Sequence, residues 1–180
     1  MQMAISWNAP AKFLHWLIAL LILVQIALGV AAVGWPLSPT KLNLFFWHKS
    51  IGVTILLLVA LRLLWRFTNP VPALPAELPA WERRSAHASH FLLYVAMIGL
   101  PLSGWALSSA SGVPFRIFGT VPLPDLIAPD KDAAEIAQQV HHAFVFFLVL
   151  LLIAHIAAAL RHHYVKRNDV LRRMLPFQGE

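Results

Sequence analysis

The chain contains no cysteine. Disulfides, iron–sulfur clusters, thiolate nucleophiles and covalently attached c-type haem are therefore excluded. Charge is also scarce. Only 12% of the 180 residues are charged, against 59% hydrophobic, which is more apolar surface than a soluble domain of this length hides. The composition specifies an integral membrane protein, read as one domain over residues 1–180. Low-complexity tracts and convincing internal repeats are absent. Acidic residues are few, and the net charge is +6. In a membrane protein such an excess is loop charge that sets orientation, so nucleic acid is not expected as a partner. With cysteine missing, histidine is left as the one good soft-to-borderline metal ligand.

What is present is length of apolar run. Crossing a bilayer takes about 20 mainly apolar residues. Four windows satisfy this, at about 13–33, 44–65, 87–108 and 140–160. The expectation is an all-α membrane protein, a four-transmembrane-helix bundle. Periodicity is weak because these segments are apolar nearly all round. Lys12 and the small residues after the first window resemble a signal peptide, but the run is too long for one. The link "NPVPALPAELPAW" cannot be helical because of its prolines. The longest link, 109–139, carries Asp125, Asp130, Asp132 and Glu135, with a short helix expected around Asp132–Gln139. The tail "VKRNDVLRRMLPFQGE" reads as a basic amphipathic helix on a lipid surface.

Basic residues divide unequally. Lys12, Arg66, Arg83, Arg84, Arg161, Lys166, Arg167, Arg172 and Arg173 fall on one side, and Lys41, Lys49, Arg116 and Lys131 on the other, beside the four acids. Both termini are thus expected in the cytoplasm. Trp35, Trp47, Trp65, Trp81 and Trp105 lie near span ends, as interfacial aromatics do.

Histidines within such spans need a reason, since imidazole is awkward in hydrocarbon. His15 lies at the cytoplasmic end of the first span and His48 at the outer end of the second. His141 opens the fourth span on the outer side, and His155 lies 14 residues further on. That spacing is about 21 Å along a helix, and it returns to the same face within roughly 40°. His15 therefore matches His155 in depth, and His48 matches His141. Two imidazole pairs across a four-helix bundle are what two bis-histidine b-type haems require. The plainer alternative is a set of hydrogen-bonded polar residues between helices. A bare zinc site fits poorly, because each depth offers two ligands and no intramembrane acid. Arg62 follows His48 by 14 residues, so it shares that face at the inner depth. Pairing with a haem propionate and snorkelling to the interface both account for it. Gly99, Pro101 and Gly104 allow either close approach to a porphyrin or close helix packing.

"LHWL" at 14–17, "WHKSIGVTILLLVALRLLWR" at 47–66, "AHASHFLLYVAMIGLPLSGW" at 86–105, "VHHAF" at 140–144 and "AHIAAALRHHYVKRNDVLRRMLP" at 154–176 occur in an order and spacing that resembles the bacterial branch of the cytochrome b561 family. The likeness covers nearly the whole chain. It implies a four-helix protein of the bacterial inner membrane with two haem b groups, and it carries the ligands over to His15, His48, His141 and His155. It also implies superoxide oxidation on the outer side and reduction of ubiquinone within the membrane. His142 departs from relatives with an acidic residue after the ligand; the 14-residue spacing favours His141. On this reading Lys41, Lys49, Arg116 and Lys131 draw superoxide in. His90, His162 and His163 stand near the inner interface, where imidazole handles protons for a quinone. His87 has no assigned part. Two rival functions are an electron-carrier subunit of a hydrogenase or formate dehydrogenase, and a non-redox membrane scaffold or transporter.

Overall fold

A computed structural model of the protein describes residues 6–75 and 78–176. Four long helices carry the chain: α1 (Ala9–Gly34), α2 (Pro39–Thr68), α3 (Ala80–Ala110) and α4 (Lys131–Leu160). All four are long and apolar enough to cross a membrane. The expected windows lie inside them; α1, α2 and α3 run further at both ends, and α4 at its start. Polar caps explain three of the four starts. Asn8 Oδ1 accepts from the Ala11 amide at 3.2 Å. Ser38 Oγ accepts from Lys41, with Pro39 as the first helical residue. Asp130 Oδ1 accepts from Ala133 at 2.7 Å, so the short helix expected around 132–139 is the first part of α4 itself.

α1 packs along α2, and α3 along α4; α2 and α3 join the two pairs. The buried core is one apolar layer: Ile18 and Ile22 of α1, Ile55 and Val59 of α2, Leu93 and Ala96 of α3, and Leu148 of α4. Outward-facing leucines such as Leu20, Leu57 and Leu64 stay exposed, as lipid-facing side chains are. Glycine sets the α3–α4 distance. A methyl group at Gly99 would come 2.5 Å from Phe144 Cζ, and one at Gly104 would come 3.2 Å from His141 Cε1. Gly99 thus lets α3 and α4 pack closely, while Gly104 faces the His141 ring.

Two regions depart from expectation. The link after α3 is not bare loop. It forms an antiparallel hairpin, β1 (Phe115–Ile117) and β2 (Val121–Leu123). Its turn places Phe118 at φ 47° and Gly119 at φ 73°. The Phe118 amide donates to Ser50 Oγ at 3.1 Å, and the Phe118 ring meets Trp47, so the hairpin is pinned on the first half of α2, at the end of the bundle away from the chain's first and last described residues; that end is called outer below and the opposite end inner.

The tail is not the expected amphipathic helix. α4 passes into one π-turn, Arg161–Val165, and helix then stops, apart from a single 3-10 turn at Arg172–Met174. Arg167 takes a left-handed φ of 52°, which breaks the helical path. The Asn168 amide group meets His162 Nδ1 at 3.0 Å. The tail's backbone then bonds across the inner end of the bundle. Trp7 N and Ser6 Oγ donate to the Arg173 carbonyl, and Trp16 Nε1 donates to the Met174 carbonyl at 2.9 Å. Residues 177–180, the end of the anticipated helix, lie outside the described residues.

Candidate haem-binding sites

The apolar layer separates two polar levels. At the outer level the rings of His48 on α2 and His141 on α4 have centres 6.3 Å apart. At the inner level His15 on α1 and His155 on α4 are again 6.3 Å apart. His142, next in sequence to His141, is exposed.

Each outer ring has a fitted seat. A methyl at Gly29 would lie 3.0 Å from His48 Cε1, so α1 makes room for that imidazole, as Gly104 on α3 does for His141. Ser103 is buried and lies 3.0 Å from His141 Nδ1, while its hydroxyl donates to the Leu100 carbonyl at 2.8 Å. A hydroxyl has one proton, so the Ser103 oxygen is left to accept, and His141 Nδ1–H must donate. The Nε2 lone pair of His141 is thereby kept free. Orienting partners of this kind fix the tautomer and direction of metal-binding histidines. Gln25 donates to the His48 carbonyl at 2.6 Å and ties α1 to α2 at this level. Ser103, Gly29 and Gln25 escaped the sequence reading. A lone amide in the first span was the available signal for Gln25; nothing in the sequence singled out the other two.

At the inner level a third imidazole is present. His90 on α3 has its ring centre 5.6 Å from that of His155. Arg62 is half-buried. It donates to the Ala11 carbonyl at 2.6 Å, across to the first turn of α1. His162 belongs to another cluster, where Glu82 takes Lys166 Nζ at 2.6 Å and Arg161 at 3.1 Å and lies 3.9 Å from His162 Nε2. That cluster clasps the start of α3 to the end of α4. His163 is half-buried and stacks edge-on with Tyr164, and His87 is exposed.

Of the outer cations, Lys41 Nζ bonds the Trp35 carbonyl and Arg116 bonds carbonyls of its own hairpin. Lys49 stands beside His48, donating to Ser108 Oγ at 2.8 Å with the Phe115 ring 5.6 Å away.

Four apolar helices with facing imidazoles at two depths are the plan of a membrane haem electron carrier. The profile of the prokaryotic cytochrome b561 family matches residues 6–177, and the chain belongs to that family. It is 33% identical to cytochrome b561 homolog 2 of Escherichia coli (strain K12), with 93% of each chain covered. Identity to cytochrome b561 homolog 1 of the same organism is 29%, covering 91% of this chain and 93% of the relative. The probable superoxide oxidase CybB of Yersinia pestis is similar at 27%, covering 91% and 92%. The protein is accordingly a bacterial membrane protein of a haem b family of electron carriers.

The residues present fit such a group. A metal about 2 Å from one nitrogen of each of two opposed imidazoles leaves the ring centres roughly 6 Å apart, and both pairs meet that spacing. Buried Nδ1 atoms of His15 and His48 have no hydrogen-bond partner among the described residues. A buried imidazole with an idle nitrogen is costly unless the ring's other chemistry repays it.

Removing the Ser103 hydroxyl tests the outer seat. Ser103→Ala should leave inner haem content unchanged and weaken retention at the outer level by roughly tenfold, as loss of an orienting partner does at metal sites. Haem release to apomyoglobin, followed spectrally, measures this.

Proposed function

We propose that the chain holds two haem b groups, one between His48 and His141 and one between His15 and His155. It would act as an oxidoreductase moving electrons from an outer-face donor, superoxide first among candidates, to ubiquinone in the bacterial inner membrane. The observation that carries this reading is the recurrence of one 6.3 Å imidazole pair at two depths. Haem bound at the two levels would supply the one-electron steps. The superoxide reading is supported by the name of the Yersinia relative, a probable superoxide oxidase, and by Lys49, a cation held beside His48. The unequal split of basic residues supports cytoplasmic termini, which puts His48 and His141 on the periplasmic side.

The chain's own residues then have defined tasks. Ser103, Gly29 and Gly104 orient the outer imidazoles. The apolar layer of Ile18, Ile22, Ile55, Val59 and Leu148 excludes water between the levels. His90 is placed to hold a proton for a quinone reduced near the inner level, more directly than His162, which faces Glu82. Arg62 sets a positive charge beside the inner pair.

Two measurements test the reading. Pyridine haemochrome analysis of fully loaded protein should give two b haems per chain; one would overturn the two-site assignment. Superoxide generated enzymatically should drive quinone reduction by the purified protein, and its failure to do so would remove superoxide as donor. Arg62→Ala should lower the potential of the inner haem alone, because a nearby cation favours the less positive reduced state. Potentiometric titration reads it.

A further inference from the structure

A cleft opens at the inner ends of α1, α2 and α3, away from the α3–α4 clasp. Trp7, Asn8, Arg62, Trp65, Arg66 and Tyr94 are among its lining residues. Arg62 and Arg66 are one turn apart on α2, so both guanidinium groups serve the same wall. Neither forms an ion pair among the described residues. Arg66 lies over the Trp7 ring, 5.5 Å from its centre. The last turn of α2 closes partly on itself, the Trp65 carbonyl accepting from the Thr68 hydroxyl and the Asn69 amide. The N-terminus of the 26-residue α1, with no acid in its first turn, points its positive end toward the same cleft. Asn8 braces the wall by accepting Trp65 Nε1 at 3.0 Å.

The geometry points to a site for a phospholipid headgroup phosphate in this cleft, held by Arg66 and Arg62. Two guanidinium groups and the α1 N-terminus, with no carboxylate among the lining residues, outweigh the negative end of α2 and call for an anion, and guanidinium matches phosphate oxygens in fork geometry. The site lies at the ends of spanning helices between two indoles, the level at which interfacial tryptophans and lipid headgroups meet. A neutral quinone ring has no need of two unneutralised cations. The inference shares Arg62 with the inner level described above, but it turns on Arg66, to which the proposed function gives no task.

The test uses haem-loaded protein in detergent, given equal amounts of dioleoyl phosphatidylglycerol and dioleoylglycerol, which lacks the phosphate. Native mass spectrometry should show phosphatidylglycerol retained in preference. Arg66→Gln should reduce that retention by roughly tenfold, the value of one lost charged contact, with the haem spectrum unchanged. Arg84→Gln, an exposed inner-side control, should leave it alone. If Arg66→Gln does not load haem, the wild type still decides, because its retention should fall several-fold as salt rises from about 0.1 to 0.5 M. Equal retention of both lipids, or unaltered retention in Arg66→Gln, overturns the proposal. Displacement by low-millimolar inorganic phosphate would assign a free-phosphate site instead, and displacement by a short-chain ubiquinone analogue would assign a quinone site; either outcome also overturns it.

Discussion

Alanine at His15 or His155 is expected to remove one and the same haem component, and alanine at His48 or His141 the other. Each substitution takes away one of two imidazoles whose ring centres are 6.3 Å apart. Retention at the affected level should fall by far more than about tenfold, the effect that merely outer-layer partners have on metal sites. The other level should keep its haem, because an apolar layer of six or more side chains from all four helices separates the two. Low-temperature difference spectra of the four variants would resolve the components. Crossed behaviour, with His15→Ala matching His48→Ala, would overturn both the pairing and the assignment of depth. His142→Ala should be silent, since that ring is exposed. His90→Ala should be nearly silent in haem content, because in the proposed pairing His15 supplies the second imidazole, yet slower in quinone reduction if His90 handles its proton.

Valine at Gly29 or at Gly104 should produce a similar loss from the opposite direction, by pressing on the ligands. A bare Cβ at Gly29 already comes within 3.0 Å of His48, and one at Gly104 within 3.2 Å of His141. A branched side chain adds two methyl groups where the Cβ alone is already tight. Overfilled sites cost about 1–3 kcal/mol, which is roughly tenfold or more in haem retention at the outer level. The two glycines lie on different helices, α1 and α3, far apart in sequence. Both variants should nevertheless reduce the same spectral component and spare the His15–His155 level. Loss of the inner component in Gly29→Val would mean that the glycine spaces the α1–α2 pair as a whole and does not seat His48. Gly34→Val is the matched control, because a Cβ there meets nothing within 4 Å.

The four spans, the two depths and the partners at each depth were legible in the sequence because they depend on quantities that an isolated helix fixes. A run of about 20 apolar residues fixes a crossing, and a constant rise and turn per residue fix the height and face of His141 relative to His155. The same arithmetic put Arg62 level with the inner pair. What the sequence left open depends on how each helix is rotated against its neighbours. Helices apolar on every face carry no stripe to reveal that rotation. Ser103 beneath His141, Gly29 behind His48 and Gln25 across to α2 became visible only with the helices packed. His90 beside His155, and His162 turned away to Glu82, were equivalent in sequence, since both sit near the inner interface at the ends of apolar runs. The hairpin at 115–123 and the tail crossing the inner end were likewise decided by tertiary contacts. Phe118 in a left-handed turn is held by Ser50 of α2, and the tail's carbonyls are held by Ser6, Trp7 and Trp16 of the first segment. Bonds spanning 68 to 167 residues of chain leave no local periodicity, so only the folded packing of the helix ends determines them.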